Sequence, residues 1–540
     1  MESRYLPDRR PSRAETAVFV SGVTSMGLEI LAGRILAPEF GSSIYTWGGI
    51  IGVFLAALSL GYHRGGKRAA TDASHTRLVG VFLATGLYVA GIVVFGDLIV
   101  QSTAVLPLPG RFVSLPAITI LFGPPTYLLG YVSPYAAELA GGDVGATAGH
   151  VYALGTVGSI VGAFATTYVL VPALSVPQIG LVLGLSAVVA AIAVAAPEFR
   201  DGSALRVGGV AAVLIVAAAV GGVGPSVAGD TVYGTQTAYQ ELRVVDRGDT
   251  RTMYLDGQPH SAMDLDDPNR HVFEYTRYFH ASLLFTDTEE VDRVLFIGGG
   301  GFTGPRIFHD MYPNVTVDVA ELDPAVIDAA DRYFGVPDSP RMNVYRDGGR
   351  QYLESTNHTY DVIVLDAYRK DSVPFELTTV EFMQLASDRL DDDDGVLLAN
   401  LISAPSGPAS EFYRAEYRTM QQAFPQVYSF PTVGGPVVQN IEIVATKRDG
   451  VLSPERLQAR NDRRDVGVDL AAELDSYRRE EPTDDVPILR DDRAPVDALL
   501  DDMVGQRYVQ TRTNESDEAG VAGGTAHVAV RDADTSPALA

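Results

Sequence analysis

Apolar residues fill long runs in the first 225 positions and only short runs afterwards. The long runs lie at about 16–38, 45–62, 78–100, 114–135, 150–172, 176–196 and 206–224. Each approaches the roughly 20 residues a helix needs to cross a bilayer. They predict an N-terminal α-helical transmembrane bundle of six or seven helices over 1–225, with the lipid bilayer as its partner and a multi-pass location in the cell membrane. The first run is longer than a signal-peptide core and is followed by others, so it reads as a retained span. Beyond 225 the period changes. The stretch 236–256 alternates like a small antiparallel sheet, which sets a β module at 226–285. From 293 onward short apolar strands alternate with helices: Arg293–Ile297, Val315–Glu321, helix Pro324–Tyr333, Met342–Tyr345, Val362–Asp366, helix Thr378–Leu390 and Gly395–Asn400. That order predicts an α/β doubly wound, mostly parallel sheet over 286–505. The small, polar, acidic residues of 506–540 predict a disordered tail.

Charge sharpens this division. Residues 1–225 carry twelve basic and eleven acidic side chains, whereas 226–540 carry 29 and 56. Lysine occurs only at Lys67, Lys370 and Lys447, and acidic runs such as Asp391–Asp394 recur. A dense carboxylate surface suits high salt, as in halophilic archaea. It leaves no basic stripe for phosphates and so excludes nucleic acid as a partner. With no cysteine in the chain, disulfides, thiolate metal sites and thiol nucleophiles are excluded, and the histidines show no metal-ligand spacing. Basic residues of the apolar half cluster at Arg4–Arg13, at His63–Arg77 and at Arg200–Arg206. The positive-inside rule puts these on the cytoplasmic face. Seven crossings would then leave the acidic half outside. Pro124-Pro125 and Gly130 mark 114–135 as the weakest run, and a re-entrant segment there would return the acidic half to the cytoplasm. Glu29 and Arg34, five apart in the first run, are costly in a bilayer and need partners.

Candidate chemistry follows the first strand of the α/β region. Gly298, Gly299, Gly300 and Gly301 form a turn through which backbone amides can approach a ligand unobstructed. Glu321 ends the second strand, where a carboxylate can accept from both ribose hydroxyls. Asp347-Gly348 ends the third strand within reach of an adenine amine, and Asp366 ends the fourth. A nicotinamide enzyme shares the glycine turn and distal acid, but the Asp347 and Asp366 positions favour an adenosyl sulfonium.

The run RVLFIGGGGFTGPRIF…VDVAELDPAVIDAADRYFG…PRMNVYRDGGRQYL…YDVIVLDAY resembles the core of spermidine synthases, the polyamine aminopropyltransferases. Tyr239-Gln240 and Leu255-Asp256-Gly257 resemble that family's N-terminal sheet, Asp491–Pro495 its C-terminal signature, and SMGLEILAGRILAPEFGSSIYTWGGIIG the membrane half of a membrane-fused subgroup. The resemblance implies a Rossmann-like sheet of the class I methyltransferase type and a dimer. It implies decarboxylated S-adenosylmethionine (or S-adenosylmethionine) as co-substrate, no metal, and a polyamine or other amine acceptor. In it, Asp366 and Asp371 serve the attacking amine, while Tyr239, Gln240, His260, Glu274 and Tyr275 line the acceptor side. Three positions depart from the family: Gly301-Phe302 stands where its turn carries Asp, Val272–Tyr275 where it has Tyr-His-Glu, and His260 where glutamine is usual. Two other readings remain: methyl or other alkyl transfer to a membrane-associated substrate, and a transporter or sensor using Glu29 and Glu138.

Overall fold

In a computed structural model, the residues described are 12–513, except 42, 107, 142, 196–200, 222–228, 238, 287–290, 371–372, 392–393, 465 and 505. The apolar runs form α1 (Arg13–Phe40), α2 (Ile44–Asp72), α3 (His75–Ala104), α4 (Gly110–Leu129), α5 (Val132–Ala140) and α6 (Val144–Ala165). A π-helical turn, Thr166–Leu170, leads to α7 (Val171–Ala173), and α8 (Val176–Ala195) and α9 (Asp201–Gly221) follow. Polar caps set the starts. Ser12, Ser43, Ser74 and Asp143 each accept a first-turn amide with the side chain, which satisfies donors that a helix otherwise leaves bare. Among the described residues six passes are long and apolar enough to span a bilayer, and Ala204–Val220 is a shorter apolar helix. Large apolar side chains face outward along them, including Leu55, Leu98, Val189 and Ile215.

Small residues let the helices touch. A Cβ added at Gly22, Gly158 or Gly162 would collide with backbone of the facing helix, so α1 and α6 meet main chain to main chain. This small-residue seam is how apolar helices pack closely without large side chains.

The run expected to be re-entrant is helical through its prolines. Pro116, Pro124 and Pro125 lie inside α4 without ending it, and α4 with α5 spans Gly110–Ala140. A proline removes one amide donor from a helix, and packing against neighbouring helices lets the helix continue past it. Two sets of contacts define the ends of the bundle. At one end Arg13 donates to the Val194 carbonyl, His150 meets Glu15 at 2.8 Å, and the Arg64 and Arg68 guanidinium groups lie over Tyr127 and Tyr131. At the other, Ile44 N–H donates to Asp497 at 3.0 Å, Gly110 abuts Asp501, and Arg34 donates to Gln236. The basic connectors and the acidic half therefore sit at opposite ends of the bundle. Arg34 is a tie between helix and sheet.

Four strands, β1 (Asp230–Gln236), β2 (Glu241–Arg247), β3 (Thr250–Leu255) and β4 (Gln258–Asp264), form an antiparallel meander in chain order. Its β3–β4 turn uses Asp256 and Gly257, both at positive φ (49° and 78°), the conformation that a two-residue hairpin demands. A 3-10 helix, Glu274–Leu284, leads to β5 (Arg293–Ile297), α10 (Thr303–Met311), β6 (Thr316–Ala320), α11 (Pro324–Tyr333), β7 (Met342–Tyr345), α12 (Gly349–Ser355), β8 (Val362–Leu365), α13 (Val380–Arg389), β9 (Val396–Ser403), α14 (Glu411–Met420), β10 (Gln426–Pro431) and β11 (Val438–Thr446). The order across the sheet is β10-β11-β9-β8-β5-β6-β7. All pairings from β9 to β7 are parallel, and β11 is antiparallel to both neighbours.

Buried Asp318 ties the parallel strands from within. It accepts from Arg293 (3.0 Å), Asn343 (2.8 Å) and Tyr360 (2.9 Å). The tail expected from 506 begins instead as β12 (Tyr508–Val509), paired in parallel with β11 at Val438 and Gln439, where β11 runs past its pairing with β10. Residues from 514, like Arg4–Arg10 and Asp392-Asp393, lie outside those described.

Candidate active site

β5 pairs with β6 on one side and β8 on the other, so the connections leave β5 and β8 in opposite directions. A crevice opens at the carboxyl ends of strands where the order reverses in this way. The glycine turn follows β5 and Asp366 follows β8. Both line a cleft with Ser261, Phe273, Tyr275, Thr276, Phe279 and the first residues of α10.

The turn is built for backbone approach. Gly298 has φ 92°, and a Cβ there would strike the Asp366 carbonyl, so only glycine fits. Gly299 N–H donates to Glu321 at 2.9 Å and Gly301 N–H to Ser261 at 2.8 Å. Phe302, fully buried, adopts φ 56° at the start of α10. A bulky side chain in the left-handed region costs on the order of 1 kcal/mol. Its ring packs on Gly299, so a phenyl group occupies the position where a turn carboxylate was sought.

Glu321 accepts from Gly299 with one oxygen and from Asp323 N–H, at 2.8 Å, with the other. Burial raises its carboxyl above the ordinary range, and the amides partly offset that. It therefore pins the turn while each oxygen keeps a lone pair for a ribose hydroxyl. Asp347 accepts from Gly348 N–H at 2.9 Å. Gly348 rather than Asp347 is the residue before α12, and its position makes no side-chain cap, which leaves the Asp347 carboxylate directed by its own turn. Asp366 accepts from Asn400 at 2.8 Å. Burial pushes its carboxyl up to about 6, with Asn400 acting the other way.

The acceptor-side expectations divide. Tyr275 is buried, donates to the His260 carbonyl at 3.3 Å and lines the cleft with Asp366. The His260 imidazole is held neutral, pushed down to about 3 by burial and by Arg369. Gln240 accepts from Arg369 at 3.1 Å, and Arg369 also donates to Asp256 at 3.0 Å, so Gln240 anchors the loop after Asp366. Tyr239 is 51% exposed and lines no part of the cleft. Glu274 opens the 3-10 helix with its N–H on Thr511 and is likewise absent from the cleft wall. Asp371 lies outside the described residues. Among the described residues no cluster of His, Asp and Glu is placed to hold a metal ion.

The residues not anticipated are polar positions in apolar strands. Asn400 interrupts VLLANLIS, and Asn440 and Glu442 interrupt VVQNIEIVAT. Such interruptions inside a buried strand are themselves a signal. Tyr508 donates to Asn440 at 2.6 Å, Asn440 to Asn400 at 2.8 Å, and Asn400 to Asp366. A three-bond polar relay thus backs the Asp366 carboxylate.

Glycine turn, ribose-level acid, adenine-level acid and a half-buried carboxylate at the crevice fit an adenosyl group. The spermine/spermidine synthase domain profile matches residues 272–435. A polyamine aminopropyltransferase of Vibrio vulnificus is 31% identical over 207 residues, covering 37% of this chain and 67% of that protein. The human eEF1A lysine and N-terminal methyltransferase is 30% identical over 126 residues, or 21% of this chain and 18% of that one. A probable spermidine synthase structure from Corynebacterium glutamicum aligns at 22% identity with a TM-score of 0.38, over 48% of this chain and 99% of that one. The chain spans between about half and two thirds of the length of the curated aminopropyltransferases it matches.

Proposed function

Because this chain belongs to the spermine/spermidine synthase family, we propose that it transfers an aminopropyl group from decarboxylated S-adenosylmethionine to an amine acceptor, in a catalytic module carried on a membrane-embedded helical bundle. One observation carries the reading: Asp366, with its proton affinity raised, stands at the strand crossover beside the glycine turn. An ammonium ion is no nucleophile until it loses a proton. In its ionised form, Asp366 orients the acceptor and takes that proton. The freed amine nitrogen attacks the carbon next to the sulfonium, a C–N bond forms as the C–S bond breaks, and the electron pair leaves on sulfur as a neutral thioether. Holding both reactants in one cleft removes much of the entropic barrier.

The bundle supports the membrane assignment through its length, its hydropathy and its outward apolar faces. A second reading rests on Phe302. With phenyl in place of a turn carboxylate, the donor's amine has no anionic partner there, which suits a donor that transfers a methyl or other alkyl group. Titration calorimetry of the full chain with S-adenosylmethionine and with its decarboxylated form separates the two, followed by mass spectrometry of the amine product. The proposal expects tighter binding of the decarboxylated donor and a product heavier by one aminopropyl group. Preference for the carboxylated donor, with a methylated product, overturns it.

A further inference from the structure

A cavity lies where the bundle meets the catalytic module. Its walls include Glu39 at the end of α1, Arg111 and Ser114 at the start of α4, Lys370 of the loop after Asp366, and the acids Asp497 and Asp501. Two of the apolar passes begin here, at Ile44 and Gly110, so the cavity stands at the level where the headgroups of a bilayer would lie. Its acids are committed. Asp497 accepts from Ile44 N–H at 3.0 Å, and a Cβ at Gly110 would strike Asp501, which presses on the start of α4 where Pro109 supplies no side-chain cap. Both carboxylates thus face the positive ends of helices, and Glu39 is not without a partner. The unmet groups are donors. The Arg111 guanidinium lies over the Phe112 ring at 5.3 Å and forms no salt bridge among the described residues, although Asp501 acts on it at longer range. Ser114 is only 3% exposed, yet its hydroxyl has no hydrogen bond among the described residues. A hydroxyl so buried calls for a partner, and one that opens on a cavity beside an arginine without a salt bridge points to an anion. Beside these donors Ile44, Leu108 and Phe112 expose large apolar side chains.

We propose that this cavity binds the phosphodiester of a membrane phospholipid, with Arg111 as the charged partner, Ser114 as the hydroxyl donor and the acyl chains along Ile44, Leu108 and Phe112. This rests on the membrane-embedded reading of the bundle. The planar fork of arginine matches phosphate oxygens, and basic pockets between spans hold lipid headgroups in this way. A free phosphate would meet the same two donors and leave the apolar rim unused. The position also gives the site reach into the catalytic module. Lys370, on its wall, comes four residues after Asp366 and donates to the Gln506 carbonyl, two residues before Tyr508. Tyr508 opens the relay that backs Asp366, so a bound headgroup sits against both the catalytic loop and the segment that supports it.

The test uses the full chain. Flotation with carbonate-washed vesicles comes first, and a chain that does not float overturns the membrane reading and the lipid site with it. The chain is then stripped of lipid in an uncharged detergent and titrated with phosphatidylglycerol, while native mass spectrometry counts the molecules bound. One lipid should bind the parent ahead of any other. Arg111→Ala should weaken that binding by about 10-fold or more, the factor expected when a charge-assisted bond is lost, and Ser114→Ala should weaken it by less. Arg111→Lys, which keeps the charge, should recover part of the loss. Arg77→Ala, at the opposite end of the bundle, should change nothing. Inorganic phosphate, and diacylglycerol with the same acyl chains, should each fail to displace the lipid. If the chain floats but Arg111→Ala binds phosphatidylglycerol as the parent does, or if inorganic phosphate displaces it, the membrane reading stands and the cavity assignment is overturned.

Discussion

Two carboxylates at the crevice are each raised by burial and held down by the amides they accept from. The Asp366 carboxyl titrates near 6 when folded because burial disfavours its charge. A raised folded-state pKa means that its contribution to stability is complete below the ordinary value near 4 and is lost as pH rises through about 6. Catalysis needs the ionised form, so kcat/KM should climb with pH and level off above about 6. Asn400→Leu removes the one donor that favours the charged carboxylate and should carry that limb upward by roughly one pH unit; a pH–rate profile with an unmoved limb would contradict the assignment. Glu321, by contrast, is braced by Gly299 and Asp323. Glu321→Gln exchanges one accepting oxygen for an NH2 that confronts a backbone N–H. Donor affinity should fall by about 10-fold to 150-fold, the worth of a charge-assisted bond, as read by calorimetry.

Among the elements, the parallel strands depend on one buried acid. Removing Asp318 leaves the Arg293 guanidinium and the Tyr360 and Tyr352 hydroxyls facing an empty acceptor site. Asp318→Ala should cost about 3 kcal/mol or more, measured as a lowered midpoint of denaturant unfolding with the bundle helices still formed. The sequence made most of these strands legible, since a buried parallel strand reads as an unbroken apolar run: helix Pro324–Tyr333 and strand Met342–Tyr345 end where the pattern ends. Glu321 and Asp366 were legible for the same reason, each being the first polar residue after such a run, and Asp347 comes one residue after Arg346. What escaped was long-range. Nothing local tells that β11 inserts between β10 and β9, that Ser261 of the meander braces Gly301, or that Tyr508 returns to the sheet. The prolines of α4 misled in the other direction, because a local helix breaker is overruled by packing against α2 and α3.

For the whole molecule, the proposed membrane insertion of the bundle would set sidedness. Arg13 lies at the end away from the catalytic module, so tags at the N-terminus and within the acidic half should be protease-accessible from opposite faces of sealed vesicles. Accessibility from one shared face would contradict this architecture. The excess of 56 acidic over 29 basic groups after residue 225 predicts a second behaviour. Unscreened repulsion grows as salt is removed, so the catalytic module should melt at a lower temperature in about 0.1 M salt than in molar salt, and an unchanged or higher melting point would speak against it. On the proposed membrane-embedded reading, the orientation of the bundle would also make the reaction directional. Aminopropyl transfer turns one ammonium into another and liberates a proton, and on the proposed membrane-embedded reading a cleft fixed at one end of the bundle would liberate every proton into the same compartment. Synthesis by this chain would then be a vectorial event: turnover acidifies one side alone, and in sealed vesicles a pH-sensitive dye on that side, and not on the other, would report each catalytic cycle.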